Sequence, residues 1–167
     1  MNARHAVLAA MVMVAANSGI SFAQKPESPE PQVFDVPAGL GCEFELRIAQ
    51  TGGNLILKEF YDRDGNKLRI LQAGKGFDLV LTNLDTGKRL TLPTPGSVMS
   101  TRLNADGTQT VSSTGHNLVV LFPTDVPAGP STVLYIGRLV YLVNTSGAFI
   151  VQSFNGRTRD ICAELRG

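Results

Sequence analysis

The sequence predicts an all-β domain, an antiparallel β-sandwich or small β-barrel of about 9–11 strands built from hairpins. Three observations predict it. Apolar and polar residues alternate in short runs along most of the chain, Gly/Asn/Asp clusters punctuate those runs, and two cysteines lie near the two ends of the patterned region.

Alternation comes first because a strand's side chains point to opposite faces with period two. In Glu43-Phe44-Glu45-Leu46-Arg47-Ile48, the apolar Phe44, Leu46 and Ile48 share one face and the charged residues the other. Leu55–Asp62, Lys67–Gln72, Phe77–Asn83, Lys88–Leu92, Val98–Leu103, Thr108–Ser113, Leu118–Phe122, Val133–Asn144 and Ala148–Phe154 read as further strands. Leu118–Phe122 is apolar throughout and predicts a central strand covered on both faces. Gly137 inside the long Val133–Asn144 run predicts a bend or bulge. Only Asp160–Arg166 suits a turn or two of helix.

The connections agree with strands that are sequential neighbours. Asp64-Gly65-Asn66, Asp85-Thr86-Gly87, Asp106-Gly107 and Thr145-Ser146-Gly147 each separate two runs, and these residue types tolerate the positive φ of tight hairpin turns. Gly74-Lys75-Gly76 lacks the flanking residues of a phosphate loop and reads as another turn. Asp-Val-Pro-Ala-Gly occurs at Asp35–Gly39 and Asp125–Gly129, each copy fitting a type I turn.

Cys42 and Cys162 pair most simply as a disulfide, because the N-terminus carries the parts of an export signal. Arg4 precedes the apolar run Ala6–Ala16, and Ser21-Phe22-Ala23 offers small residues for cleavage. The expected organisation is a signal peptide over 1–23, a flexible proline-rich lead-in over 24–31 and one β domain over 32–167. The apolar run is about half the length of a spanning helix, so no membrane span is expected after cleavage. The precursor holds 15 basic and 14 acidic residues. Losing Arg4 balances them, which argues against nucleic-acid binding.

The search for chemistry nominates little. His116 is the one histidine beyond the signal segment. It starts an apolar strand in Gly115-His116-Asn117 with no nucleophile elbow in the chain, while Ser112, Ser113 and Asp125 are too generic to nominate. Glu43 and Glu45 have a spacing that glycoside-hydrolysing pairs use, but Arg47 continues their face and makes it solvated. Asp62-Arg63-Asp64-Gly65-Asn66 fails the calcium-loop register. One histidine and a disulfide leave no zinc ligand set. No catalytic residue, metal or cofactor is therefore called for. The tyrosines and phenylalanines fall mostly at apolar strand positions, which suits core packing. Asn144-Thr145-Ser146 is a formal glycosylation sequon.

The weak binding candidates are His116 and Asn117, and separately the stiff connection carrying Pro123, Asp125, Pro127 and Pro130. That connection also suits a rigid crossover between sheets. The expected role is a secreted, non-enzymatic β domain that meets an extracellular partner or ligand by surface binding, or serves as a structural component. The alternatives are a β-barrel carrier of a small apolar ligand and, more weakly, a small extracellular hydrolase. The segments Thr51-Gly52-Gly53-Asn54, Gly115-His116-Asn117 and Phe122–Thr132 resemble those of small exported actinobacterial proteins. That resemblance implies export and adds nothing on mechanism.

Overall fold

A computed structural model describes residues 32–167; the expected signal peptide and lead-in lie outside them. The elements are β1 Gln32–Val36, β2 Leu46–Tyr61, β3 Lys67–Asn83, β4 Arg89–Pro93, β5 Ser97–Leu103, β6 Gln109–Leu121, β7 Ser131–Val143, β8 Phe149–Asp160 and α1 Ile161–Leu165. All eight strands join one open antiparallel sheet, ordered β1-β2-β3-β5-β6-β7-β8, with β4 beside β3.

The strand count falls below the expected range because several runs are halves of one strand. The ladder runs on through Gly52-Gly53 in β2, Gly74-Lys75-Gly76 in β3 and Gly115 in β6. Gly74-Lys75-Gly76 is thus mid-strand rather than a turn. β2 begins only at Leu46, so Glu43 and Glu45 precede it, and Glu43 faces Arg166 at 3.1 Å. β8 runs on to Asp160, whose carboxylate accepts from the Ala163 N–H at 2.9 Å and caps α1. The expected hairpin turns are all present between β2 and β3, β3 and β4, β5 and β6, and β7 and β8.

A row of glycines crosses the sheet and creases it. Gly115, Gly137 and Gly156 are ladder partners on β6, β7 and β8, at φ +98°, +141° and +150°. A Cβ on Gly137 would sit 2.2 Å from the Asn155 carbonyl oxygen, and one on Gly156 would sit 2.1 Å from that of Ile136. The two backbones close on each other where any side chain would hold them apart. The bend this permits is sharp. The Ser113 hydroxyl donates to Oδ1 of Asn117, although those residues would lie about 13 Å apart on a straight strand. Likewise Val126, in the connection leading into β7, bridges to Ile150 beside the far end of that strand.

Creasing gives the sheet two cores. Inside the bend, Val111, Ser113, Tyr135 and Leu139 are buried, and the Tyr135 and Phe154 rings meet edge to face at 5.0 Å across the glycine pair. On the opposite face, Leu46 and Ile48 of β2, Leu79 and Leu81 of β3 and Leu92 of β4 pack with Leu134 of β7, Ile161 and Leu165. Leu118, Val120 and Ile136 lean on the same cluster. Strands that are not ladder neighbours thus meet face to face, as in a sandwich made from one sheet.

The Cys42–Cys162 disulfide, with a Cα separation of 5.5 Å, ties the start of this core to α1. It closes a span of 120 residues, which stabilises by about 5 kcal/mol on the chain-entropy account. Inside, the Thr132 hydroxyl donates to the Gly41 carbonyl at 2.9 Å and the Asn83 amide to the Leu165 carbonyl at 3.2 Å. Arg159 grips Glu164 with two hydrogen bonds of 2.9 and 2.6 Å. Among the described residues, no helix is long and apolar enough to cross a membrane.

Gly137→Ala should lower unfolding free energy by roughly 2–4 kcal/mol through strain and backbone clash. Gly147→Ala, with nothing within 4 Å of the new Cβ, should cost roughly 1 kcal/mol. Equal urea midpoints for the two variants would contradict the crease.

The Arg159 hydrogen bonds hold the Glu164 carboxyl below its usual 4.5. A depressed folded value means the contact stabilises above the ordinary glutamate range and is lost as pH falls through the folded value. Arg159→Ala should return the Glu164 carboxyl titration, followed by NMR, to its usual midpoint. An unchanged midpoint would remove this ion pair from the account.

Candidate functional site

The sheet parts at one place. β4 and β5 lie along the same edge of β3 in a single register, from Asp78↔Pro93 to Gly74↔Ser97, but Thr94-Pro95-Gly96 interrupts them. Pro95 brings no N–H to a ladder. Both the N–H and the hydroxyl of Thr94 donate to the Phe77 carbonyl, at 3.1 and 2.5 Å. Thr94 can come this close because the neighbouring Gly76 has no side chain: a Cβ there would fall 2.1 Å from the Thr94 carbonyl oxygen. β6 therefore pairs with β5 only up to Gly115. Beyond the interruption β4 follows β3 while β6 follows β7, and the sheet opens between them.

The opening holds a cleft of about 250 Å³. Ile48, Leu55, Phe77, Leu79, Met99 and Leu118 form its apolar wall, and Gln50, Thr94, Ser113, His116, Asn117 and Tyr141 bring polar atoms to it. No Asp, Glu, Lys or Arg is among the residues around it. Burial pushes the Tyr141 phenol above its ordinary value, so it stays a neutral donor across physiological pH. The Ser113 side chain is fully buried and gives its proton to Asn117 Oδ1, not to the imidazole of His116. The Asn117 amide nitrogen donates in turn to the Gly115 carbonyl at 3.4 Å, which fixes which way that amide faces. The pair braces the bend of β6.

His116 and Asn117 thus both reach the cleft. The stiff connection does not: Pro123, Asp125, Pro127 and Pro130 are absent from its lining. Asp125 is buried, with one carboxylate oxygen accepting from Phe122 N–H at 2.6 Å and the other from Phe149 N–H at 2.8 Å. Val126 N–H donates to the Phe149 carbonyl and Val151 N–H to the Val126 carbonyl. This second Asp-Val-Pro-Ala-Gly copy is a crossover sewn onto β8 rather than a free turn.

The other readings find their places quickly. The carboxylate of Asp62 accepts from the N–H groups of Asp64 and Asn66 and closes its own hairpin. No group of three or more His, Cys, Asp or Glu side chains gathers among the described residues. Leu118–Val120 is half-buried rather than covered on both faces, and Phe122 is exposed, because the parting of the sheet leaves one edge of this strand without a neighbour. Tyr61 is likewise exposed, with its hydroxyl donating to Glu59. A second, more open depression of about 410 Å³ at the far tip of β2, β3 and β5 is lined by Phe60, Leu68, Arg69, Arg102 and Leu103, with the Arg69 guanidinium 4.2 Å from the Phe60 ring centroid.

Gln50, Thr94, Met99 and Tyr141 were not nominated from sequence. The signal available was the Pro95-Gly96 break between two alternating runs, which marks where neighbouring strands must part. No protein-family model, no curated protein and no solved structure matches this chain.

Asp125→Ala should cost roughly 2–4 kcal/mol by stranding two backbone N–H groups, and the amides of Phe122 and Phe149 should lose hydrogen-exchange protection. Unchanged protection at both would show that the carboxylate does not hold the crossover.

Proposed function

We propose that this chain is an exported, non-enzymatic binding domain that holds a small, neutral, mainly apolar group in the cleft between β4 and β6. The observation that carries this reading is the cleft's composition. An apolar wall drawn from β2, β3, β5 and β6 faces a few polar atoms that can orient a guest, the usual make-up of a ligand site. At about 250 Å³ it lies just under the range of about 300–1,000 Å³ for drug-sized ligands. That size suits one aromatic ring or one branched aliphatic group. Export is supported by the apolar run Ala6–Ala16, the small residues at Ser21-Phe22-Ala23 and the disulfide.

Two features favour binding over hydrolysis. The Ser113 proton is committed to Asn117, so the imidazole beside it has no hydroxyl to activate through that serine. The cleft is also an open parting of a sheet, not the enclosed cup of a barrel carrier, which favours a group presented by a larger partner.

A neutral naphthylamine fluorophore should bind the mature protein with a blue-shifted emission. Met99→Trp, which fills the cleft, should abolish that shift while leaving the near-ultraviolet circular dichroism of the fold in place. Equal binding by the wild type and the filled variant would overturn the reading.

A further inference from the structure

The cleft has a backbone wall as well as a side-chain one. β6 pairs with β5 from Gln109 to Gly115 and with β7 from Gln109 to Leu121. His116–Leu121 therefore keeps one ladder edge open, along the mouth of the cleft. Among the described residues, the backbone bonds made outside the ladders do not involve this stretch. Unpaired strand edges invite another strand, and proteins commonly blunt them with charge or proline. Other outer strands carry such residues: β1 has Asp35, β4 has Arg89 and Pro93, and β8 has Arg157 and Arg159. β2 has Lys58 and Glu59 beyond its uncharged stretch Thr51–Leu57, of which only Leu55 reaches the cleft. The open edge of β6 reads His-Asn-Leu-Val-Val-Leu, with no Asp, Glu, Lys, Arg or proline.

We infer that this edge receives an added β-strand, an extended peptide segment of a partner protein that pairs with His116–Leu121 and lodges one neutral apolar side chain in the cleft. This rests on the cleft reading and names the guest. The occupant is polypeptide because an edge offers N–H and C=O groups at the strand repeat of about 3.3 Å per residue, a pattern that another backbone matches and a lipid or small hydrocarbon does not. Main-chain bonds then supply affinity and the cleft supplies side-chain selection, the division of labour in strand-addition recognition. A second copy of this chain fits less well. Paired through the same edge, its Leu118 and Val120 are already packed in its own core. The uncharged lining selects Val, Leu or Phe at the anchoring position.

The test uses the disulfide-intact mature chain and a fluorescent peptide of alternating Thr and Leu. Two analogues carry N-methyl groups on alternate residues, one set along each edge of the strand. The unmodified peptide should bind and protect backbone amides of His116–Leu121 from hydrogen exchange. One methylated set should bind normally and the other should lose about tenfold or more, as removing a few backbone hydrogen bonds requires. Equal loss or equal retention by both sets would overturn strand addition. So would self-association through these residues without peptide. Binding of the naphthylamine but of no peptide would overturn strand addition while leaving the cleft reading standing. Binding of neither would remove both.

Discussion

Backbone meets backbone at Gly137 and Gly156, and the rest of the molecule is arranged around that contact. With no Cβ between them, β7 and β8 close to a distance that any side chain would prevent, at φ values which L-residues rarely adopt. The crease lets one open sheet bury both faces of its β6–β8 half. Inside it lie Val111, Leu139 and the Tyr135–Phe154 contact. Outside it, the same strands become the second layer over β2, β3 and β4. A flat sheet of this size would leave one face wet and need another element to cover it. Here the covering layer is the sheet itself.

The crease also explains why the sheet parts. As β6 turns at Gly115 it leaves the line followed by β4, and Thr94-Pro95-Gly96 marks the same point on the other side. The Phe77 carbonyl, which takes both donors of Thr94, holds one lip, and the Ser113–Asn117 hydrogen bond braces the other. The far end is closed by α1, by Cys42–Cys162 and by the Asn83 amide on the Leu165 carbonyl. Closed at one end and parted at the other, the structure has a cleft by construction, with apolar core residues at its back and an open strand edge at its mouth.

Much of this was legible in the residues. Alternation located every strand from β2 on but not β1, whose Asp35 and Val36 were read as part of a turn; the Gly/Asn/Asp clusters located the hairpin turns, and Asp160–Arg166 contained the helix. Two cysteines, Cys42 and Cys162, behind an N-terminus patterned like an export signal gave the disulfide. Three things were not legible, for related reasons. A glycine inside a strand and a glycine in a turn look alike in sequence, so Gly52-Gly53 and Gly74-Lys75-Gly76 divided what are single strands. The direction of a bend is a property of ladder neighbours, so nothing local to Gly115 says that Ser113 and Asn117 will touch. The cleft draws on residues from Ile48 to Tyr141, which are gathered only once β2, β3, β5, β6 and β7 have paired. His116 and Asn117 were nominated, while Gln50, Thr94 and Met99 look like ordinary strand or loop residues until the sheet parts beside them. Asp125 shows the reverse: a generic acid in a proline-rich stretch holds the crossover from both sides.

The proposed binding role rests on where the fold leaves a strand edge unpaired. The edges of β4 and β8 carry charge, while the edge of β6 is bare and stands beside a neutral apolar recess. The creased sheet underlies both features, so its most direct test is the approach of groups that only a crease can join. In a solution NMR experiment on the protein, nuclear Overhauser contacts should connect the rings of Tyr135 and Phe154, and Val126 with Ile150, alongside the ordinary β7–β8 ladder contacts. The same ladder contacts without either of those two would mean a sheet that does not fold over, and the account of the cleft would fall with it.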